Sequence, residues 1–180
     1  MRISISTPVL AFLCVMLAFP GLAQKKRVLH SVRAENIFSS AMEKDVFLLT
    51  LSGRDTLNGT LVFRILSPKK KTLLLEKLSA DDLIGFGPPE VEEGKEVPPH
   101  RMSQYIIERM NGFFAEDNFL VPAISPGEEF NLDYCAKPLW DEIRGLNRAV
   151  GFHYLLGKED NRFIAYSVRK KKAVLYKTHD

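Results

Sequence analysis

Val46-Phe47-Leu48-Leu49-Thr50-Leu51-Ser52-Gly53-Arg54-Asp55-Thr56-Leu57-Asn58-Gly59-Thr60-Leu61-Val62-Phe63-Arg64-Ile65-Leu66 is the stretch that decides the fold class of this chain. Two runs of apolar, aromatic and β-branched residues flank a segment of turn formers, which reads as two neighbouring strands. Asn58-Gly59 is a type I′ turn signal. Because Gly53 also punctuates the connection, the pair reads either as that turn or as a bulge. Pro68 and Lys69–Lys71 end the second strand, and Thr72–Leu75 resumes as a third. Asp81–Gly87 reads as a short strand or turn that closes the unit. Successive strands with tight turns make an antiparallel meander, whose edges must be covered or charged.

The same reading applies near the C-terminus. Gly151–Leu156, Arg162–Val168 and Ala173–Lys177 are expected strands, joined by turns at 157–161 and 169–172. Tyr154, Phe163, Tyr166 and Tyr176 supply the aromatic mass that strand packing favours. Between the two groups, Met102, Tyr105, Ile106 and Met110 form an apolar stripe that predicts a helix over 101–111, stopped by Gly112. Pro138 suits the first turn of a second helix, with Leu139, Trp140, Ile143 and Leu146 as its stripe. Residues 33–44 read as a further short helix carrying Phe38, Ala41 and Met42 on one side. Asn118–Val121 reads as a short strand, and 88–100 and 122–129 as proline-bearing loops. The expected class is α+β: strand-rich antiparallel meander units with two short helices.

Upstream, Arg2 precedes an apolar run from Val9 to Phe19, and Gly21 and Ala23 stand at minus three and minus one of a cut after Ala23. This is the pattern of a secretory signal peptide, 1–23, leaving one secreted domain, 24–180, in the periplasm or outside the cell. A remainder near 150 residues buries about 68–70% of its unfolded surface, enough for a core without staples. No later run reaches the roughly 18 apolar residues of a spanning helix, so the mature domain is not expected to be transmembrane. Cys14 leaves with the leader, and Cys135 is then the only thiol, which excludes an internal disulfide. Removing Arg2 leaves 24 basic against 22 acidic groups, a net +2. The cations cluster at 25–27, 69–71 and 169–172, where they keep turns solvated and can meet acidic surfaces or lipid headgroups. No reading element or stacking platform accompanies them, so nucleic acid is not an expected partner.

The segment 46–87 resembles small, uncharacterised secreted proteins of Bacteroidota, in which a strand is followed by "GDTLxG" and later by "DDIxGF". The residues that carry the likeness are Gly53-Arg54-Asp55-Thr56-Leu57-Asn58-Gly59 and Asp82-Leu83-Ile84-Gly85-Phe86. Arg54 interrupts the Gly-Asp pair, and Leu83-Ile84 fills the later apolar slots. The resemblance covers about 40 residues of the 180. It implies export from a Gram-negative cell and assigns no catalytic residue.

Chemistry-bearing residues are few and scattered. Cys135 and His153 allow a thiol nucleophile and base, oriented by Asp133 or Asp141. A structural, buried Cys135 and a cross-strand His153 explain both with fewer assumptions. His30, His100, His153 and His179 have no zinc-site spacing. Asp81, Asp82, Glu90, Glu92 and Glu93 lack a calcium-loop arrangement. Glu128, Glu129 and Asp133 show no fixed carboxylate separation, and Gly85–Pro89 lacks the lysine of a phosphate loop. Neither a metal nor another cofactor is expected. The expected function is a non-enzymatic envelope or extracellular binding or structural domain, with an envelope protein or cell-surface component as partner. The alternative is a small secreted hydrolase using Cys135 and His153. Loops on a rigid frame are where binding residues are expected.

Overall fold

Alternation at every second residue builds the first sheet. Strands β1 (Val28–Ile37), β2 (Lys44–Ser52), β3 (Thr60–Leu66) and β4 (Thr72–Ser79) pair antiparallel in chain order. On β2 and β3, Phe47, Leu49, Leu51, Leu61, Phe63 and Ile65 point to one face and are wholly buried. The computed structural model describes residues 27–92 and 95–179. The expected leader, 1–23, lies outside the described residues.

A second antiparallel sheet contains β5 (Phe119–Leu120), β6 (Gly151–Leu156), β7 (Asp160–Ser167) and β8 (Lys172–His179). Helix α1 (Pro99–Gly112) links the sheets in sequence, and α2 (Lys137–Arg144) precedes β6. Both helices begin with proline in the first turn, where the missing N–H leaves no helical bond unmade. The α+β class, the antiparallel meanders and the two short helices agree with the sequence reading.

The sheets share no hydrogen-bonded strand and meet through side chains. Phe152 on β6 stands 5.4 Å from Phe47, 5.7 Å from Phe63 and 4.9 Å from Phe119, centroid to centroid. Phe113 and Phe114, just past α1, lie 5.8 and 5.7 Å from the same ring. Each such pair contributes about 0.5–1.5 kcal/mol beyond its burial. Ile106 and Met110 of α1 close this core. On the far face of the second sheet, Ala165, Val174 and Tyr176 meet Leu139, Trp140 and Ile143 of α2. The Trp140 indole Nε1 is buried with no acceptor among the described residues.

One polar tie crosses between the sheets. Glu76 on β4 accepts from the Tyr154 hydroxyl at 2.7 Å and from the Arg162 guanidinium, which also grips Asp160 at 2.7 Å. Burial first, then the Glu76 charge, pushes the Tyr154 hydroxyl well above its ordinary pKa. It therefore stays protonated and donates. A buried acceptor left without its donors costs about 1–3 kcal/mol, so the tie also fixes which way the sheets sit.

Two sequence expectations are corrected, and one pair of alternatives is decided. Residues 33–44 are not a helix: they are the second half of β1 and the turn into β2. Ser31, Arg33 and Glu35 are exposed while Val32 and Ala34 face the core, and pairing along the whole of β2 outweighs local helix spacing. Of the strand or turn expected at Asp81–Gly87, the turn is what forms: Ala80–Leu83 is a 3-10 turn in which Asp82 accepts the Ser79 N–H at 2.8 Å. Leu146 is outside α2, whose last residue is Arg144, and is exposed.

Two hairpin turns are closed by lysines in the left-handed region, Lys70 at φ 60° and Lys171 at φ 52°. A β-carbon there costs about 1–2 kcal/mol. The second turn is held by Glu142 of α2, which accepts from Ser167 Oγ at 3.0 Å and from the Arg169 N–H at 3.0 Å. Burial raises the Glu142 pKa, but the Arg169 N–H and the Ser167 hydroxyl outweigh it, and the net direction is down. A depressed carboxylate stabilises the fold fully above its unfolded value, about 4.3, and that stability drains as pH falls through the folded value. Glu142→Gln is expected to lose about 1–2 kcal/mol at pH 7. Its urea-unfolding deficit relative to wild type should shrink as pH falls below 4. A deficit that stays constant down to pH 3 would rule out the carboxylate as its source.

Candidate functional site

Four segments distant in sequence meet at one end of the sandwich. They are the β1–β2 turn, Val121 after β5, residues 145–150 before β6, and the end of β7. Together they line a groove of about 880 Å³. Its apolar surface comes from Ile37, Phe38, Val121, Leu146, Tyr166 and Val168. Val121 is 65% exposed and Val168 55%, so the groove has apolar side chains facing solvent. Its volume and mostly apolar lining fall in the range of ligand sites, about 300–1,000 Å³.

The wall at 38–40 is held by a buried acid. Asp45 has no exposure, and its carboxylate accepts from the Phe38 N–H at 3.1 Å, the Ser39 N–H at 2.7 Å and Ser39 Oγ at 2.6 Å. Phe38 is thereby set edge-on against Phe47, 5.4 Å away. Ser40 Oγ accepts from the Met42 and Glu43 N–H groups, which closes the turn. The opposite wall is braced through α2: Arg144 donates to the carbonyls of Pro126 at 2.8 Å and Glu128 at 2.9 Å. The groove carries one charged residue, Arg148, which is exposed and has no ion-pair partner among the described residues. No acidic residue lines it.

Cys135 and His153, singled out from sequence, are not hydrogen-bonded to each other. His153 Nε2 bonds to Asn161 Oδ1 at 3.0 Å, and its ring stacks on Phe163 at 4.5 Å. Lys177 lies over Phe163 and, on its other side, over Tyr134, next in chain to Cys135. His153 lines a separate recess of about 400 Å³ beside Arg109 and Asn118, to which Cys135 does not contribute. Asp133 is exposed, its N–H on Asn131 Oδ1, and Asp141 pairs with Lys137. Neither carboxylate orients the imidazole.

Cys135 is half-buried against the Trp140 cluster, less enclosed than the buried residue expected. Burial pushes its thiol above the ordinary range, against a smaller opposing pull from the Trp140 backbone and Lys170. Thiol chemistry needs the reverse direction. Among the described residues no group of three or more His, Cys, Asp or Glu is placed to hold a metal ion. No helix among them is long and apolar enough to cross a membrane.

Sequence reading missed the groove. Local spacing places Phe38 and Ala41 on a helix and Leu146 on a helix stripe, and it gives Asp45 and Arg148 no role. The available signal was the period of two in Ser31-Val32-Arg33-Ala34-Glu35, which places the next residues at a strand end. No protein-family model, curated protein or solved structure matches this chain.

Two measurements check this site. Alkylation of Cys135 by iodoacetamide should rise with pH along a curve whose midpoint lies above the ordinary thiol value of about 8.5. A midpoint at or below that value contradicts the burial argument. Asp45→Ala removes the acceptor of the Phe38 and Ser39 N–H groups, and should cost about 1–3 kcal/mol in urea unfolding. An unchanged midpoint would show that the 38–40 wall stands without the carboxylate.

Proposed function

We propose that this chain is a non-enzymatic binding domain of the cell envelope or exterior, with the end groove as its binding surface. The observation that carries the reading is the groove itself: solvent-facing apolar side chains on walls braced by Asp45 and Arg144. A wall ordered before contact loses less conformational freedom on binding, which favours affinity. The leader pattern at 1–23 and the likeness of 46–87 to secreted proteins support export. On this reading the partner is an envelope protein or a cell-surface component.

The groove is the testable part. Nile red, a neutral apolar dye, should bind saturably at about one site per chain with enhanced fluorescence. Val168→Asp and Leu146→Asp alter exposed wall residues. Each should weaken dye binding by about tenfold or more, since a desolvated charge beside an apolar ligand costs over 1.4 kcal/mol. Thermal unfolding of both variants should stay close to wild type. Dye fluorescence that never saturates, or that both aspartates leave intact, removes the groove as a binding surface.

A further inference from the structure

Strand register places three basic segments around one end of the molecule. Leu66 and Thr72, the limits of the β3–β4 turn, lie in register with Val46 beside the β1–β2 turn. Ser167 and Lys172, the limits of the β7–β8 turn, lie beyond the Gly151–Ala165 pair, on the side from which residues 145–150 enter. The groove joins these ends, because it is lined from both sheets. Lys69–Lys71 and Arg169–Lys172 therefore lie at the same end as the groove, with Arg148 in its lining. All are exposed. Apart from Arg169, 3.9 Å from Glu142, none has an ion-pair partner among the described residues. Of the nearby acids, Asp45 is spent on the 38–40 wall and Glu142 on the β7–β8 turn, leaving Glu43 and Glu35 exposed, the latter paired with Arg33.

A second observation is independent of charge counting. Among the described residues, the non-glycine positions with positive φ are Lys70 and Lys171. They lie in the two turns at this end. Asparagine or glycine fits such a turn with less strain. Strained backbone of this kind is a pointer to a role for the side chain. The same end exposes Met42 at 91%, Val121 at 65% and Val168 at 55%.

We infer that this end of the domain docks on an anionic lipid surface, with lysines on headgroup phosphates and Met42, Val121 and Val168 entering the headgroup–acyl boundary. The inference rests on the binding reading above and names the partner for that surface. Basic groups around projecting apolar ones match an anionic bilayer, which offers both phosphates and an apolar layer. A nucleic-acid backbone answers the lysines and leaves the apolar side chains without a partner. The domain lies on the surface and does not span it.

Flotation of the mature protein, residues 24–180, with vesicles tests this. Phosphatidylcholine vesicles containing 30% phosphatidylglycerol should bind it, and pure phosphatidylcholine should bind it at least tenfold more weakly. Lys70→Asn with Lys171→Asn removes two charges and suits the left-handed turns, so thermal stability should hold or rise. Affinity for the anionic vesicles should fall roughly 30-fold, at about fivefold per lysine. Met42→Gln with Val121→Gln should lower affinity at both 50 and 300 mM salt. Equal binding to both vesicle types overturns the inference, as does a double asparagine variant within twofold of wild type. A heparin fragment bound as tightly as the vesicles, and indifferently to the Met42 and Val121 changes, points to a polyanion site instead and also overturns it. Nile red occupancy is read separately. Retained dye binding with failed flotation removes the lipid partner and leaves the groove, whereas lost dye binding removes the groove reading itself.

Discussion

Everything in this fold depends on the burial of aromatic rings between two sheets that have no backbone connection through a shared strand. Each sheet has four strands and an apolar face turned to the other, and the second sheet has a further apolar face under α2. Such a face is stable only when another element covers it. Phe152, presented by β6, touches Phe47 and Phe63 on the other sheet as well as Phe113, Phe114 and Phe119 around it. Ring contact tolerates many orientations, so by itself it leaves the relative slide of the sheets loosely specified. The Glu76–Tyr154–Arg162 tie supplies direction, because hydrogen bonds must meet end to end. Apolar burial holds the halves together, and one polar cluster sets how they align.

That division of labour explains where a groove can exist. Tyr166 and Val168 lie at one end of β7 and beside it, and Asp160 and Arg162 lie at the other. The polar tie fills its end of the sandwich. At the groove end, the closing residues are in loops, and those loops spend their polar groups on themselves: Asp45 on Phe38 and Ser39, Ser40 on Met42 and Glu43. Apolar side chains are left facing outward. The groove therefore follows from satisfying the turns locally while leaving the space between the sheets uncapped.

Strands and hairpins were legible because their signal is local. β2, β3, β6, β7 and β8 each show a run of strand-forming residues bounded by turn formers, and the structure places them within a few residues of the expected limits. The local sign of β1 is the period of two at 31–35, which the helical spacing of Phe38, Ala41 and Met42 just beyond it masks; its pairing with β2 is a tertiary fact. The end of α2 was misjudged for a similar reason: Leu146 has the right spacing, but the chain turns at Gly145. The groove was illegible because no single segment contains it. Cys135 and His153 drew attention as reactive residue types, yet the fold gives His153 an amide partner and raises the Cys135 thiol. Residue type proposes chemistry, and only neighbours in space supply it.

The groove has one wall on each sheet, while the inter-sheet polar tie lies toward the opposite end. The domain is thus built like a pair of tongs with its rivet at the back. Spreading the jaws strains the ring contact of Phe47 and Phe152, which lies between rivet and tip. A guest that wedges the jaws apart works against the same aromatic packing that keeps the chain folded, so grip strength and folding strength share a single spring.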